Sequence, residues 1–217
     1  MLKCVMFDMD GTIADTQPLC LAAFRSALFR ITGREFTEGE ITATYGPSEG
    51  GCLRRLVGER SALALEFYLE YYQANHHKLC SGPFPGMEGI FDLARAGGAA
   101  LALITGKSAA SLALDLAAFG LEERFDLIKT GRVEGGDKPA DMRAVLAELG
   151  LLPEEAVYVG DAPSDITSAR AAGLPIWAAA WAPAADREGL EALAPDRLCL
   201  SVEELADGLR ETLPRGR

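Results

Sequence analysis

Val5-Met6-Phe7-Asp8-Met9-Asp10-Gly11-Thr12 joins a short apolar run to two carboxylates one residue apart. A short apolar run of this kind is typical of a buried strand in a parallel sheet. Ligands of open α/β sheets bind at the carboxyl ends of the strands, so Asp8 and Asp10 are expected where chemistry occurs. Gly11 supplies the backbone freedom that lets both carboxylates reach one place. Taken alone, the motif is equally compatible with a solvated turn at a strand end.

The composition of the chain is that of an ordinary globular protein. It has 217 residues, of which 49% are hydrophobic and 24% charged, and its net charge is −11. That charge disfavours nucleic acid and anionic membranes as partners. The five cysteines show no metal-binding spacing, and the apolar run before Asp8 is shorter than a secretory signal. We therefore expect a cytoplasmic protein, monomeric or homodimeric, with reduced cysteines.

Apolar strand candidates alternate with helical patterns through most of the chain. This alternation predicts an α/β fold with a doubly wound, Rossmann-like parallel sheet. The predicted strands are Cys4–Phe7, Ala100–Ile104, Asp126–Lys129, Ala156–Val159 and Pro175–Ala179, and the predicted later helices are Ala109–Phe119, Ala140–Leu149, Ser164–Ala172 and a last one within Ser201–Leu213.

The gap between the first two predicted strands is unusually long and contains only helical patterns. These cover Leu19–Ile31, a short turn at Glu38–Thr44, Glu49–Val57 and Ser61–Leu79. A crossover between parallel strands needs only about a dozen residues. We therefore expect an inserted all-helical cap domain at 15–82, with Pro/Gly-rich hinges at its ends. The α/β core domain is then formed by 1–14 and 83–217.

Three further predicted strand ends carry polar motifs. They are Ile104-Thr105-Gly106-Lys107-Ser108, Gly136-Asp137-Lys138-Pro139 and Gly160-Asp161-Ala162-Pro163-Ser164-Asp165. Each has an ordinary structural interpretation, because threonine and aspartate cap helices and a single lysine is usually on the surface. The first motif offers a hydroxyl and backbone amides at a helix N-terminus, where an anion is well held.

Together these motifs satisfy one chemical requirement. Four carboxylates at one sheet edge need a cation, and hard oxygen ligands favour Mg²⁺. A lysine and a threonine nearby complete what a phosphoryl group needs, which is a nucleophile, charge neutralisation and positioned donors. Gly106-Lys107-Ser108 does not end a nucleotide-binding P-loop, because Leu101 stands where that loop requires glycine.

With these four motifs in this order, the chain resembles the haloacid dehalogenase superfamily, in the branch of phosphatases with a helical cap after the first strand. The resemblance covers nearly the whole chain. It extends to Ala171-Ala172-Gly173-Leu174-Pro175, which follows the last motif as in phosphoglycolate-phosphatase-like members.

The resemblance implies a role for each motif residue. Asp8 would be the nucleophile that forms an aspartyl-phosphate, and Asp10 the general acid and base. The phosphoryl oxygens would be held by Thr105, Gly106 and Lys138. The metal ligands would be Asp8, the main-chain carbonyl of Asp10, Asp161 and, directly or through Lys138, Asp165.

Substrate choice is expected to lie in the cap. Tyr45-Gly46-Pro47-Ser48-Glu49-Gly50 resembles the family loop that approaches the active site, so Ser48, Glu49 and Arg54 are candidate specificity residues. Sugar phosphomutases carry an arginine in that loop, and Glu49 in its place argues against a mutase. The aromatic series Phe67, Tyr68, Tyr71 and Tyr72 has helical spacing and is interpreted as cap core. His76 and His77 lack an evident partner.

The resemblance implies a small phosphorylated metabolite as substrate, with phosphoglycolate as the first candidate. A pyrophosphatase, or a sugar phosphatase or phosphomutase of the same superfamily, is the alternative. A dehalogenase does not need the second acid, Asp10, and a phosphonatase would need a Schiff-base lysine, for which only Lys78 is near. A phospho-accepting receiver domain would be shorter and would lack the 15–82 insertion.

Overall fold

The computed structural model describes residues 1–214, which form a parallel sheet flanked by helices. The strands are β1 (Cys4–Phe7), β2 (Ala100–Ile104), β3 (Leu127–Lys129), β4 (Ala156–Gly160), β5 (Ile176–Ala179) and β6 (Arg197–Cys199). The helices are α1 (Gln17–Thr32), α2 (Glu38–Thr42), α3 (Glu49–Val57), α4 (Ser61–Leu79), α5 (Met87–Ala96), α6 (Ala109–Phe119), α7 (Lys138–Leu149), α8 (Pro163–Ala172), α9 (Arg187–Ala192) and α10 (Val202–Thr212).

The sheet has the strand order β3-β2-β1-β4-β5-β6, and all neighbouring pairs are parallel. The chain adds strands on one side of β1 and then returns to the other side, so the order reverses between β1 and β4. Crevices at such reversal points are where ligands of α/β sheets bind. The predicted α/β class with a doubly wound parallel sheet is confirmed.

The sheet is covered on both faces, as the alternation of side chains along β1 requires. Val5 and Phe7 belong to the apolar cluster that includes α5 and α10. Cys4 and Met6 belong to the opposite cluster, which includes α7 and α8. Strands buried on both faces read as continuous apolar runs, which is why β1 could be recognised from sequence.

The segment between β1 and α5 contributes helices α1 to α4 and a third apolar cluster. Phe24 of α1 packs on Tyr68 of α4, with ring centroids 4.8 Å apart. Tyr68 and Tyr72 are fully buried, as expected of core residues. The division into a core of 1–14 and 83–217 and a cap of 15–82 stays a prediction.

Several elements differ from the sequence prediction. The prediction lacked α5, α9 and β6, which are interrupted by glycine or are very short. Helix α7 begins at Lys138 rather than Ala140, because Asp137 caps it by accepting a bond from the Ala140 amide at 2.9 Å. The 38–44 turn is a short helix that ends at Thr42.

All five cysteines are free thiols and all are buried. None of the helices within 1–214 combines the length and apolar composition that crossing a membrane requires.

Candidate active site

The carboxyl ends of three adjacent strands bring the predicted residues together. Asp8 follows β1, Thr105 follows β2 and Asp161 follows β4. The Asp8 amide continues the sheet by donating to the Val159 carbonyl at 2.9 Å. The Thr105 amide does the same toward the Lys129 carbonyl at 3.1 Å. The hydrogen bonds of the sheet therefore fix the backbone positions from which the Asp8 and Thr105 side chains project.

Gly11 makes the close approach between the β1 and β4 ends feasible. Its φ is +75°, a conformation that side chains disfavour, and a Cβ at this position would collide with the Asp161 carboxylate. The neighbouring Thr12 hydroxyl donates to Asp161 Oδ1 at 3.1 Å. The turn after Asp10 thus shapes a wall of the site and also orients one of its carboxylates.

Three carboxylates form a compact cluster at this edge. Oxygen atoms of Asp8, Asp161 and Asp165 lie within 4.8 Å of one another. Burial raises the pKa of Asp8 to about 7, although Lys138 opposes the shift. Burial, followed by the charges of Asp8 and Asp165, also raises the pKa of Asp161. The cluster is therefore short of positive charge.

Lys138 is the cation of this cluster. Its Nζ lies 2.6 Å from Asp165 Oδ1 and 3.4 Å from Asp8 Oδ1. Burial alone would lower the pKa of this lysine, but Asp165 and Asp8 together raise it well above its usual value. The other oxygen of Asp165 accepts from the Ala162 amide at 3.1 Å. Asp165 is thus engaged at both oxygens.

The cluster fits a hard divalent cation. Asp8 Oδ1 is buried and accepts no hydrogen bond within the described part of the chain. A buried carboxylate oxygen without a partner is costly, and a metal ion would satisfy it. Oxygen-only ligands of this kind suit Mg²⁺. The Asp10 side chain does not belong to this cluster.

Asp10 directs its carboxylate away from the cluster, toward the helical segment. Its Oδ1 accepts hydrogen bonds from the Thr16 hydroxyl and from Lys107 Nζ, the latter at 2.9 Å. No hydrogen bond to Oδ2 is found among residues 1–214, and the side chain is 29% exposed. Hydrogen bonds therefore fix Oδ1 of Asp10, whereas Oδ2 remains available for a further contact.

Lys107 was missed in the sequence analysis, where it mattered only for excluding a P-loop. Besides Asp10, its Nζ donates to the Tyr72 hydroxyl at 3.0 Å and to the Cys20 sulfur at 3.4 Å. It also lies 3.2 Å from Asp115 Oδ2. Burial alone would lower the pKa of Lys107, but Asp10 and the other surrounding acidic groups raise it. Lys107 therefore links α1, α4 and α6 to the site.

The prediction that the histidines lack a partner is wrong for His76. It is buried, and its Nε2 lies 2.9 Å from Asp115 Oδ1. The Tyr72 hydroxyl donates to the same oxygen at 2.7 Å. Asp115 lies on α6, so nothing in the local sequence around His76 reveals the pairing.

Thr105 directly follows β2, and Gly106 lines the same cleft as the carboxylate cluster. The anion at the N-terminus of α6 is a side chain. Glu49 accepts from the Ser108 amide at 2.7 Å and from the Ser111 hydroxyl. The Thr105 hydroxyl is buried and accepts from the Lys107 amide at 3.2 Å. The helix terminus that was expected to hold a ligand anion therefore holds the carboxylate of Glu49.

The three candidate specificity residues have different environments. Glu49 is buried and lines a cavity next to Asp10. Ser48 is buried at the start of α3, where its amide donates to the Arg132 carbonyl at 3.0 Å. Arg54 is exposed and donates to the Val133 carbonyl at 3.2 Å, and it lines neither cavity beside Asp10. Of these three residues, Glu49 is the one that lines a cavity beside Asp10.

A cleft of about 620 Å³ opens above the carboxylate cluster. It is lined by Asp8, Asp10, Lys138, Asp161 and Asp165, together with backbone at Gly106. These residues lie at the order reversal between β1 and β4. The arrangement brings a cluster of three carboxylates, the separate carboxylate of Asp10 and the ammonium group of Lys138 to one open space.

The family description "Haloacid dehalogenase-like hydrolase" matches residues 5–179. This chain belongs to the haloacid dehalogenase-like hydrolases. The matched region includes every motif on which the sequence resemblance was based, so the resemblance is confirmed.

Curated relatives of this hydrolase include two kinds of protein. A phosphoglycolate phosphatase of Cereibacter sphaeroides is 35% identical over 180 residues, which cover 78% of this chain and 81% of the relative. The tyrosine-protein kinase PtkA of Mycobacterium tuberculosis is 33% identical over 181 residues, covering 82% of this chain. The hydrolase matches only 62% of that kinase's length. The relatives thus include a phosphatase and a kinase, and they do not share one named activity.

Solved structures share the fold. CbbY from Rhodobacter sphaeroides, in complex with phosphate, has a TM-score of 0.77 at 24% identity, covering 94% of this hydrolase and 96% of CbbY. A haloacid dehalogenase-like protein from Streptococcus pneumoniae has a TM-score of 0.75 at 22% identity, with coverage of 95% and 98%.

Proposed function

We propose that this hydrolase removes the phosphoryl group from a small phosphomonoester, with Mg²⁺ as cofactor and an aspartyl-phosphate on Asp8 as intermediate. The observation that carries the proposal is the environment of the Asp8 carboxylate, which lines the cleft. Its Oδ1 accepts no hydrogen bond from the described residues and lies 3.4 Å from Lys138 Nζ, and the carboxylate belongs to the cluster with Asp161 and Asp165. A carboxylate beside a cation, with an oxygen that accepts no hydrogen bond, is suited to attack on phosphorus.

In the first step, a carboxylate oxygen of Asp8 attacks phosphorus and the bond from phosphorus to the ester oxygen breaks. Asp10 donates its proton to the departing oxygen, so the alcohol leaves neutral. Because Oδ1 of Asp10 is held by Lys107 and Thr16, Oδ2 is the oxygen that carries this proton.

In the second step, water attacks the phosphorus of the aspartyl-phosphate, and Asp10 accepts the proton of that water. The bond between phosphorus and Asp8 breaks, phosphate is released, and both aspartates return to their starting states. The same residue serves as acid and then as base, which requires that it stays aimed at one point.

The remaining residues position the phosphoryl group. Lys138, the Thr105 hydroxyl and the Gly106 backbone would bind its oxygens, and Asp165 would hold Lys138 in place through the 2.6 Å contact. Asp8, the Asp10 carbonyl and Asp161 would hold Mg²⁺. The ion would supply charge neutralisation for the phosphoryl oxygens.

Phosphoglycolate is the first substrate to examine, because the relatives that cover most of their own length are named phosphoglycolate phosphatases. Pyrophosphate and sugar phosphates are the alternatives within the superfamily. We also propose that the helical segment 15–82 acts as the cap over the cleft, in a cytoplasmic protein that is a monomer or homodimer.

Phosphate release from a panel of phosphorylated metabolites, with Mg²⁺ and with EDTA, tests the proposal. We expect turnover that needs Mg²⁺ and disappears in Asp8→Asn. Turnover that is unaffected by EDTA, or that survives in Asp8→Asn, would contradict the mechanism.

A further inference from the structure

A second, smaller cavity adjoins the catalytic cleft on the side of the helical segment. Its volume is about 140 Å³, and it shares the edge formed by Asp10, Gln17 and Tyr45 with the cleft. We call it the inner chamber, and its walls include Cys20, Phe24, Tyr45, Glu49, Tyr68 and Lys107. A leaving oxygen protonated by Asp10 would lie at its mouth.

The inner chamber contains a buried hydroxyl without a strong hydrogen-bond partner. Tyr68 is fully buried, and no nitrogen or oxygen atom of a described residue forms a hydrogen bond with its Oη. Its polar neighbour is the Cys20 thiol, a weak hydrogen-bonding group; burial raises the pKa of that thiol, and the interaction with Tyr68 opposes the shift. Buried hydroxyls normally have partners, so this one points to a ligand with a polar group.

The charges around the inner chamber disfavour an anion inside it. Glu49 and Asp10 contribute carboxylates, and Lys107 is the lining cation. The three Lys107 donors are already used by Asp10, Tyr72 and Cys20. Lys107, the cation of the lining, is therefore not free to form an ion pair with a carboxylate or a second phosphate on a substrate.

The size of the inner chamber limits what can enter. An apolar cavity of about 150 Å³ accommodates benzene, which has six non-hydrogen atoms. A chamber of about 140 Å³ is of the same size, and the rings of Phe24, Tyr45 and Tyr68 make much of its wall apolar.

We propose that the inner chamber receives the alcohol part of the substrate, and that this part is uncharged, has about six non-hydrogen atoms or fewer, and carries a hydroxyl that bonds to Tyr68. The inference rests on the proposed phosphatase function and names its substrate class. It predicts that phosphoglycolate is a poorer substrate than its uncharged analogue, because the leaving group of phosphoglycolate carries a carboxylate.

A matched pair of esters tests the charge preference. In 2-hydroxyethyl phosphate a CH₂OH group replaces the carboxylate of phosphoglycolate, and the two are otherwise alike. We expect kcat/KM for 2-hydroxyethyl phosphate to exceed that for phosphoglycolate by about tenfold or more, since like charges at short range repel. Equal values, or a preference for phosphoglycolate, would overturn the inference.

Glu49→Gln tests the source of the preference. Glutamine keeps a side-chain oxygen that can accept from the Ser108 amide, but it removes the charge. We expect the ratio of kcat/KM for 2-hydroxyethyl phosphate to that for phosphoglycolate to fall several-fold, because kcat/KM for phosphoglycolate rises. Glu59→Gln makes the same change at an exposed position of the same helical segment and is expected to leave the ratio unaltered. An unchanged ratio in Glu49→Gln would refute the role of Glu49.

Tyr68→Phe tests the hydroxyl contact. We expect KM to rise several-fold more for 2-hydroxyethyl phosphate than for ethyl phosphate, which lacks the second hydroxyl. The same change with both esters would show that Tyr68 acts only through packing, and would remove the hydroxyl from the proposal.

Failure of the inference and failure of the proposed function give different results. Mg²⁺-dependent hydrolysis of p-nitrophenyl phosphate with phosphoglycolate preferred over 2-hydroxyethyl phosphate would leave the function standing and reject the inner-chamber assignment. Hydrolysis of none of these esters would reject both.

Discussion

Lys107 and Lys138 both contact aspartates of the site, but their surroundings differ. The Lys107 side chain is 2% exposed, and its donors meet groups from three separate segments, namely Asp10, Cys20 and Tyr72. The Lys138 side chain is 22% exposed and borders a cleft, where it contacts two members of a cluster of three carboxylates. Every Lys107 donor has a partner, whereas the carboxylates beside Lys138 lack positive charge.

The difference separates groups that hold the fold together from groups that await a ligand. A buried charge whose partners are all present contributes to a specific packing arrangement, and breaking its pairs is costly. A cluster of carboxylates with too few cations, such as Asp8, Asp161 and Asp165 beside Lys138, is destabilising until a ligand binds. Substitutions at the two sites should therefore affect different observables.

Asp8→Asn should produce the largest effect on activity. Loss of the nucleophile should lower kcat by roughly 10⁴-fold or more. Removing one carboxylate from a repelling cluster should leave the melting temperature in EDTA equal to or above that of the wild type. Mg²⁺ should raise the melting temperature of the wild type more than that of the variant. Phosphate-release assays and thermal melts with and without Mg²⁺ check both statements, and a strongly destabilised Asp8→Asn would contradict the description of this cluster.

Lys138→Met should lower kcat/KM by about 10²- to 10³-fold, the scale expected when one donor to a developing charge is removed. Its melting temperature should fall less than that of Lys107→Met, because the Lys138 side chain is 22% exposed and borders the cleft, whereas the Lys107 side chain is 2% exposed. Steady-state kinetics and melts of the two lysine variants, measured side by side, decide the order. The reverse order would show that the two lysines have been assigned the wrong roles.

Lys107→Met should act mainly on stability. It leaves Asp10 and Asp115 without their cation, and breaking a buried pair in this way costs about 3–5 kcal/mol. Denaturant unfolding measures this loss directly. We also expect kcat to fall, because Asp10 loses a positioning contact, but by less than in Lys138→Met. An unfolding free energy equal to that of the wild type would place Lys107 with the catalytic groups instead.

Tyr72→Phe should give the smallest effect, a loss of about 1–3 kcal/mol in unfolding free energy. The variant removes a hydroxyl that bonds to both Lys107 and Asp115. Tyr71→Phe is the matched control, since it removes a hydroxyl from a half-buried ring one position away on the same helix. If both variants lose the same amount, the linkage around Lys107 contributes no specific stability.

The cleft could be predicted from sequence because each of its residues follows a recognisable strand. Asp8, Thr105 and Asp161 come directly after apolar runs, and parallel strands end at one edge of the sheet. Spacing along the chain is then enough to place them together. The ligand set and the roles of these residues remain predictions, since they came from the family resemblance.

The contacts around Lys107 could not be predicted in the same way. Lys107 meets Asp10 across 97 positions and Tyr72 across 35, and no local period connects them. His76 was set aside because its partner, Asp115, lies on another helix. Such contacts depend on how the helical segment packs on the sheet, and short elements such as β6 are likewise recognised only in their tertiary context.

Because all five cysteines are buried, the rate at which a thiol reagent modifies them reports how often the structure opens. Burial raises the pKa of Cys4 and Cys20 to about 12, and the thiolate is the form that reacts. The closed molecule should thus not react with a chromogenic thiol reagent. The coloured product should form only from molecules that have transiently opened. Cys20 and Cys52 line the inner chamber and Cys199 lies under the far edge of the sheet, so peptide mapping of the labelled thiols would show which part opens first.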